Sequence, residues 1–162
     1  MTISIDRLFS TRRLLLKGAG CVALVGLSNL VPLPALAAAN DAYPEDAFRQ
    51  KSDKDAIQAL YGKGAVASDE VKLDAPEIAE NGAVVPISVT TTLEGVTSIS
   101  FLVSGNPNPL AASYAIPQGT LGSISNRLKM QKTSNVIAIV EAGGKLYSAT
   151  KEVKVTVGGC GG

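Results

Sequence analysis

An all-β fold, an immunoglobulin-like antiparallel β-sandwich with a short N-terminal helical segment and a flexible C-terminal Gly-Gly-Cys-Gly-Gly arm, is predicted by three features of the sequence. Six or seven short apolar or alternating runs follow one another from Val71 to Val157. Gly, Pro and Asn turn signals separate them at intervals short enough for antiparallel neighbours. The chain has 162 residues, of which about 125 remain once a removable leader is subtracted. That length suits one domain with one core.

The leader is residues 1–37, a signal of twin-arginine type. Arg7, Arg12, Arg13 and Lys17 form a positive head, and Ala19 to Val31 is an apolar run of 13 residues. That run is too short, and too rich in Gly and Ala, for an ordinary spanning helix. Pro32 and Pro34 break it, and Ala35-Leu36-Ala37 offers a small-x-small cleavage site, with Ala39 as the alternative cut. The pair Arg12-Arg13, with Lys17 after it, matches the twin-arginine export motif, although Leu15 stands where Phe is commoner. Export by that route implies a chain that folds in the cytoplasm and crosses to the periplasm already folded. Cys21 opens the apolar run and lacks a lipobox, so it leaves with the leader.

Residues 38–70 read as the helical segment. Phe48, Ile57, Leu60 and Tyr61 recur among charged residues, Pro44 suits a first turn, and Ser52 before Asp53 and Asp55 suits an N-cap. Residues 71–157 read as the sandwich. Val84 to Thr92 and Thr97 to Val103 alternate, Val136 to Val140 is continuously apolar as a central strand would be, and Lys145 to Val157 ends in alternating valines. Asn81-Gly82, Gly105-Asn106-Pro107-Asn108-Pro109, Pro117-Gln118-Gly119 and Gly143-Gly144 mark the turns. Lys129, Lys132, Lys151 and Lys154 are expected on solvated strand faces, some of them near the arm's base. Asp69, Glu70, Asp74, Glu77 and Glu80 have no ligand-like spacing and read as surface charge.

Composition removes whole classes of chemistry. The chain contains no His, so it has no histidine-based triad and no histidine metal ligand. Two cysteines cannot build a tetrathiolate site. Removing the leader's Arg7, Arg12, Arg13 and Lys17 together with Asp6 leaves 11 bases against 13 acids, a net charge of −2, which marks no nucleic-acid binder. Neither a metal nor a cofactor is expected, and no membrane segment in the mature form.

One thiol then remains, Cys160, in an oxidising compartment, and it needs a partner or a purpose. It lies at residues 158–162 between Gly158-Gly159 and Gly161-Gly162, with nothing nearby to bury it. The glycines strip the chain of bulk and leave its dihedrals free. Five such residues extend at most about 17 Å and span about 12 Å as a coil. Such an arm can carry a sulfur atom into a narrow channel of another protein. No His, helix N-terminus or adjacent cation would activate the thiol, and the α-carboxylate is a like charge to a thiolate. The activating groups must come from whatever receives the arm, which describes a carrier without catalytic residues of its own.

From Val153 to the terminal Gly162 the chain resembles the SoxY family, the sulfur-carrying subunits of SoxYZ complexes in thiosulfate oxidation. The segment Leu73-Asp74-Ala75-Pro76-Glu77-Ile78-Ala79-Glu80-Asn81-Gly82, the Gly105 to Pro109 turn and Arg127-Leu128 with Lys132-Thr133 are similar too. Departures fall at Gly95–Ser98 and Ala115–Gly122. The resemblance implies that thiosulfate-derived sulfur is held covalently on Cys160. A c-type haem enzyme, SoxXA, would load it, SoxB would release sulfate, and SoxCD, where present, would oxidise the remaining sulfur. It also implies a SoxZ partner exported bound to this chain. Two other classes stand beside it. One is a β-sandwich interaction module dimerised through a Cys160 disulfide. The other is a thiol enzyme such as a peroxidase, which would need a depressed thiol pKa.

Overall fold

The computed structural model describes residues 43–156. Two helices come first, α1 (Glu45–Arg49) and α2 (Asp53–Tyr61). Ser52 caps α2 as its sequence position suggests, its Oγ accepting from Asp55 N at 3.1 Å, and Gly62 closes it in the left-handed conformation at φ 68°. Pro44 caps α1 without a side-chain bond.

Nine strands follow: β1 (Val66–Ala67), β2 (Val71–Asp74), β3 (Ile78–Ala79), β4 (Val85–Thr91), β5 (Val96–Val103), β6 (Leu110–Ala115), β7 (Ser123–Leu128), β8 (Ser134–Ala142) and β9 (Lys145–Val155). They form the immunoglobulin-like sandwich. One sheet runs β1-β9-β8-β5-β6, with β3 also on β9, and the other runs β2-β4-β7. The main pairings are antiparallel. The exceptions are β1 and β3, which lie parallel to β9 near its start (Val66 opposite Tyr147) and its end (Ile78 opposite Lys154). Strand structure therefore begins before Val71, at Val66, and two short segments shield the outer edge of β9.

The sandwich interior holds Val85, Ile87 and Val89 from one sheet against Ile99, Phe101, Val103, Val136, Ala138, Val140 and Val153 from the other. Phe101 meets Tyr114 edge-on, with ring centroids 6.4 Å apart at 81°. The alternation in β5 assigns faces correctly, yet its second face does not meet water. Leu102 and Ile139 join Ala47, Ala56, Leu110 and Leu146 in a separate apolar layer beneath α1 and α2. Both faces of β5 and β8 are therefore covered, which accounts for the unbroken apolar run in β8.

Polar groups bind the helical layer to this sheet. Tyr61 OH lies 2.7 Å from the Oγ of fully buried Ser100, which donates to Ser113 Oγ at 2.9 Å. Ser98 Oγ donates to Tyr61 OH at 3.1 Å. Beyond it, Lys63 Nζ donates to Glu141 Oε1 at 2.7 Å and to Gly144 O at 2.8 Å. The Lys63 hydrogen bond holds the Glu141 carboxyl below its ordinary range. Partial burial opposes that shift, while the Thr97 hydroxyl, the Lys63 charge and the Ser98 hydroxyl add to it.

The Gly105 to Pro109 segment is a turn, as its composition indicates, and also a three-way clamp. Asn106 Nδ2 donates to Lys129 O at 2.7 Å, and Asn106 Oδ1 accepts from Gln131 N at 3.1 Å. Asn108 Nδ2 donates to Phe48 O at 3.0 Å, while its Oδ1 accepts from Lys51 Nζ at 3.2 Å. Each asparagine thus fixes the β5–β6 connection to a different neighbour, the β7–β8 loop and the end of α1.

Candidate functional site: the root of the C-terminal arm

The alternating valines at the end of β9 place Val153 in the core, fully buried, and leave Lys154 exposed. This end of the strand is gripped from both sides. On one side Val155 N donates to Thr133 Oγ1 at 2.9 Å, from the loop joining β7 to β8. On the other, Lys154 N donates to Glu77 O at 2.9 Å and Thr156 N to Ala79 O at 3.1 Å. Thr156 Oγ1 adds a bond to Glu80 O at 3.0 Å. The two flanking segments also join each other, through Met130 N to Gly82 O at 2.7 Å. Thr156 is thus a fixed point, tied by backbone and side chain, from which the remaining chain departs.

Cys160 and the glycines Gly158, Gly159, Gly161 and Gly162 lie outside the described residues, as do Arg12, Arg13 and the rest of the leader. What the structure supplies is the mount. β9 pairs with β8 from Lys145 opposite Ala142 to Val153 opposite Ser134. The mount is therefore part of the same sheet as β8, the strand that carries Val136, Ala138 and Val140 into the core.

The lysines differ from the sequence-based expectation. Lys129 and Lys132 sit in the β7–β8 loop and not on a strand face, because β7 ends at Leu128 and β8 starts at Ser134. Lys151 is in β9, but its ammonium donates to Ala75 O across the strand edge. Lys154 is the exposed strand lysine next to the root. The carboxylates Asp69, Glu70, Asp74, Glu77 and Glu80 are exposed, as their spacing suggests. The contribution the sequence does not announce comes from backbone carbonyls, those of Glu77, Ala79 and Glu80, together with the Thr133 hydroxyl. No residue-type pattern marks a carbonyl as a latch.

Chemistry within the described residues is sparse. A shallow groove of about 510 Å³ on β2, β4 and β7 is lined by Asp74, Ser88, Ser125 and Arg127 among others, with no thiol and no imidazole. Among the described residues no three His, Cys, Asp or Glu side chains converge as a metal site would require.

Comparison with known proteins bears on this arrangement. The family model described as "Sulfur oxidation protein SoxY" matches residues 57–160, from α2 through the cysteine. Among solved structures, the sulfur carrier protein SoxY from Chlorobium limicola f thiosulfatophilum is 44% identical. The match covers 64% of this chain and 96% of that one, with a TM-score of 0.59. A chain from a structure on T cell specificity and activation by the bacterial superantigen toxic shock syndrome toxin-1 aligns over 57% of this chain and 99% of its own. At 15% identity and a TM-score of 0.38 it carries no weight. No curated protein sequence matches. A family match over most of the chain, reaching Cys160 itself, and a 44% identical neighbour over nearly its full length lead to one conclusion: the chain belongs to the SoxY family of sulfur oxidation proteins.

Proposed function

We propose that this chain is a periplasmic covalent sulfur carrier in thiosulfate oxidation, with the thiol of Cys160 as its attachment point. The observation that carries the reading is the placement of that thiol. It is the one cysteine left after the leader, it stands between glycine pairs within the family match, and it lies four residues beyond a root latched into the core sheet.

The chemistry divides between carrier and partners. A Cys160 thiolate joins the outer sulfur of thiosulfate, and two electrons leave to a haem-bearing partner of SoxXA type. The product is a thiosulfonate on the cysteine. Water then attacks the terminal sulfonate in a SoxB-type partner, releasing sulfate and two protons and leaving a persulfide. A SoxCD-type dehydrogenase, where one operates, oxidises the remaining sulfur. The chain itself supplies reach, small cross-section and a rigid base. SoxZ is the expected heterodimer partner, and the Arg12-Arg13 signal supports export of the pair in folded form. No cofactor of its own is invoked, since the covalent sulfur adducts are the cargo.

The test is a reconstituted thiosulfate-oxidising system with Cys160→Ser in place of the native carrier. Sulfate release should fall to background. Turnover at the native rate would end the carrier reading, and a reducible dimer as the main native species without any sulfur adduct would favour the disulfide-linked interaction module.

A further inference from the structure

We propose that Asn81 is a modification site: its side-chain amide is lost to attack by the Gly82 backbone nitrogen, and the isoaspartyl product opens the joint between the β3–β4 connection and the β7–β8 loop. The inference stands apart from the carrier reading, since it holds whatever Cys160 carries. The reaction needs three things in one place. They are an asparagine, a following residue with an N–H to give up, and no bulk on that residue to crowd a five-membered ring.

The five asparagines of the described residues separate on those grounds. Asn106 and Asn108 each precede proline, whose nitrogen has no proton to lose. Asn126 and Asn135 lie inside β7 and β8, paired to Ile87 and Glu152, and the side chains of Arg127 and Val136 crowd the nitrogens that follow them. Asn126 Oδ1 accepts from Arg127 N at 2.7 Å, which turns oxygen and not carbon toward that nitrogen, while its Nδ2 is held by Tyr114 OH at 2.8 Å. Asn81 alone among them precedes glycine, and it is exposed in a turn outside any strand.

The turn favours the chemistry. Val84 N donates to Asn81 O at 3.5 Å, closing four residues, and Ala83 N donates to Asn81 Oδ1 at 2.8 Å. The side chain is thus folded back over the Gly82 peptide that must attack it. The Ala83 N–H also sits on the oxygen that gathers negative charge as the ring closes. Gly82 N gives up its proton and bonds to Asn81 Cγ, the Cγ–Nδ2 bond breaks, and the amide leaves as ammonia with that proton. Water then opens the ring at one carbonyl or the other, giving aspartate or isoaspartate. One water is consumed and one ammonia released, with no oxidant, cofactor or second protein. Either product takes the mature net charge from −2 to −3. Isoaspartate also routes the main chain through Cβ, adding a backbone bond between residues 81 and 82. Gly82 O accepts from the N–H of fully buried Met130 at 2.7 Å, and the lengthened link pulls that carbonyl away.

The test ages the folded mature protein at mildly alkaline pH and maps its peptides. Amide should turn to acid at Asn81 at least about ten-fold faster than at Asn126 or Asn135. Isoaspartate should exceed aspartate, the rate should climb with pH, and amide exchange at Met130 should quicken in the isoaspartyl protein. Asn81→Asp, which adds the charge without the extra backbone bond, should keep native exchange at Met130. Gly82→Ala should slow the reaction by crowding the nitrogen. Asn81→Gln, whose ring would have six members, should abolish it and serves where Gly82→Ala fails to fold. Amide loss at Asn81 no faster than at the strand asparagines overturns the proposal, as does native exchange at Met130 in the isoaspartyl protein.

Discussion

Thr133 offers a way to loosen the arm's root without entering the core. Its hydroxyl is the acceptor for Val155 N at 2.9 Å, and its own side chain is exposed. Thr133→Val keeps the branched shape and deletes that acceptor. Losing one such bond costs on the order of 1 kcal/mol net. For a domain of this size that corresponds to a fall in Tm of about 4 °C. The same energy multiplies the population of a locally opened β9 end about five-fold. Adding Thr156→Val removes the second side-chain latch, the bond to Glu80 O at 3.0 Å. With both gone, Thr156 is held only through its backbone, by the bond from its N to Ala79 O, so the end of β9 opens more often. Amide exchange read residue by residue, beside a thermal melt, checks each step. Exchange should rise about five-fold at Lys154 to Thr156, and at Ile139 and Val140 by no more than the fall in global stability read from the melt. Native exchange at Val155 in the double variant would refute the latch.

Three other outcomes follow from the same geometry. In Gly105→Ala the new Cβ would lie 2.7 Å from both Cβ and Oγ of Ser134. The variant should therefore lose about 1–3 kcal/mol in denaturant melts through displacement of the β5–β6 clamp. Glu141 has a lowered folded-state pKa, chiefly from the Lys63 hydrogen bond. The stability this confers is present above the unfolded-state value and is lost as pH falls through the lower folded one. The advantage of the native chain over Glu141→Gln should therefore be full at pH 7 and shrink below about pH 4, as read by urea melts across pH. Gly159→Val with Gly161→Val thickens and stiffens the arm beside the sulfur. It should leave Tm unchanged while lowering turnover with each processing enzyme at least ten-fold, measured as kcat/KM on loaded carrier.

Much of this structure was legible because strand signals are local. The alternation at Val85, Ile87 and Val89 marks a strand with one inward face, and the unbroken run from Val136 to Val140 marks a central strand. The Ser52 cap is equally local. What escaped depends on distant partners. Whether the Ser98, Ser100 and Leu102 face of β5 meets water depends on α2, some forty residues earlier in the chain, whose Tyr61 reaches Ser100. The two-residue strands at Val66 and Ile78 exist only because β9 offers them an edge. Lys132 and Lys129 look like strand residues until the loop that latches Val155 is seen in place. The thiol itself was conspicuous from the sequence, set between two glycine pairs. Its mount was not, since carbonyls carry most of it.

The central claim is that Cys160 carries sulfur, and the direct measurement is the mass of the C-terminal peptide from the mature protein taken from cells oxidising thiosulfate. The peptide ending at Gly162 should appear with added sulfur, both as a thiosulfonate and as a persulfide, and a reducing agent should return it to the free thiol. The same peptide found only as free thiol or as a Cys160–Cys160 disulfide, in cells actively releasing sulfate, would contradict the claim.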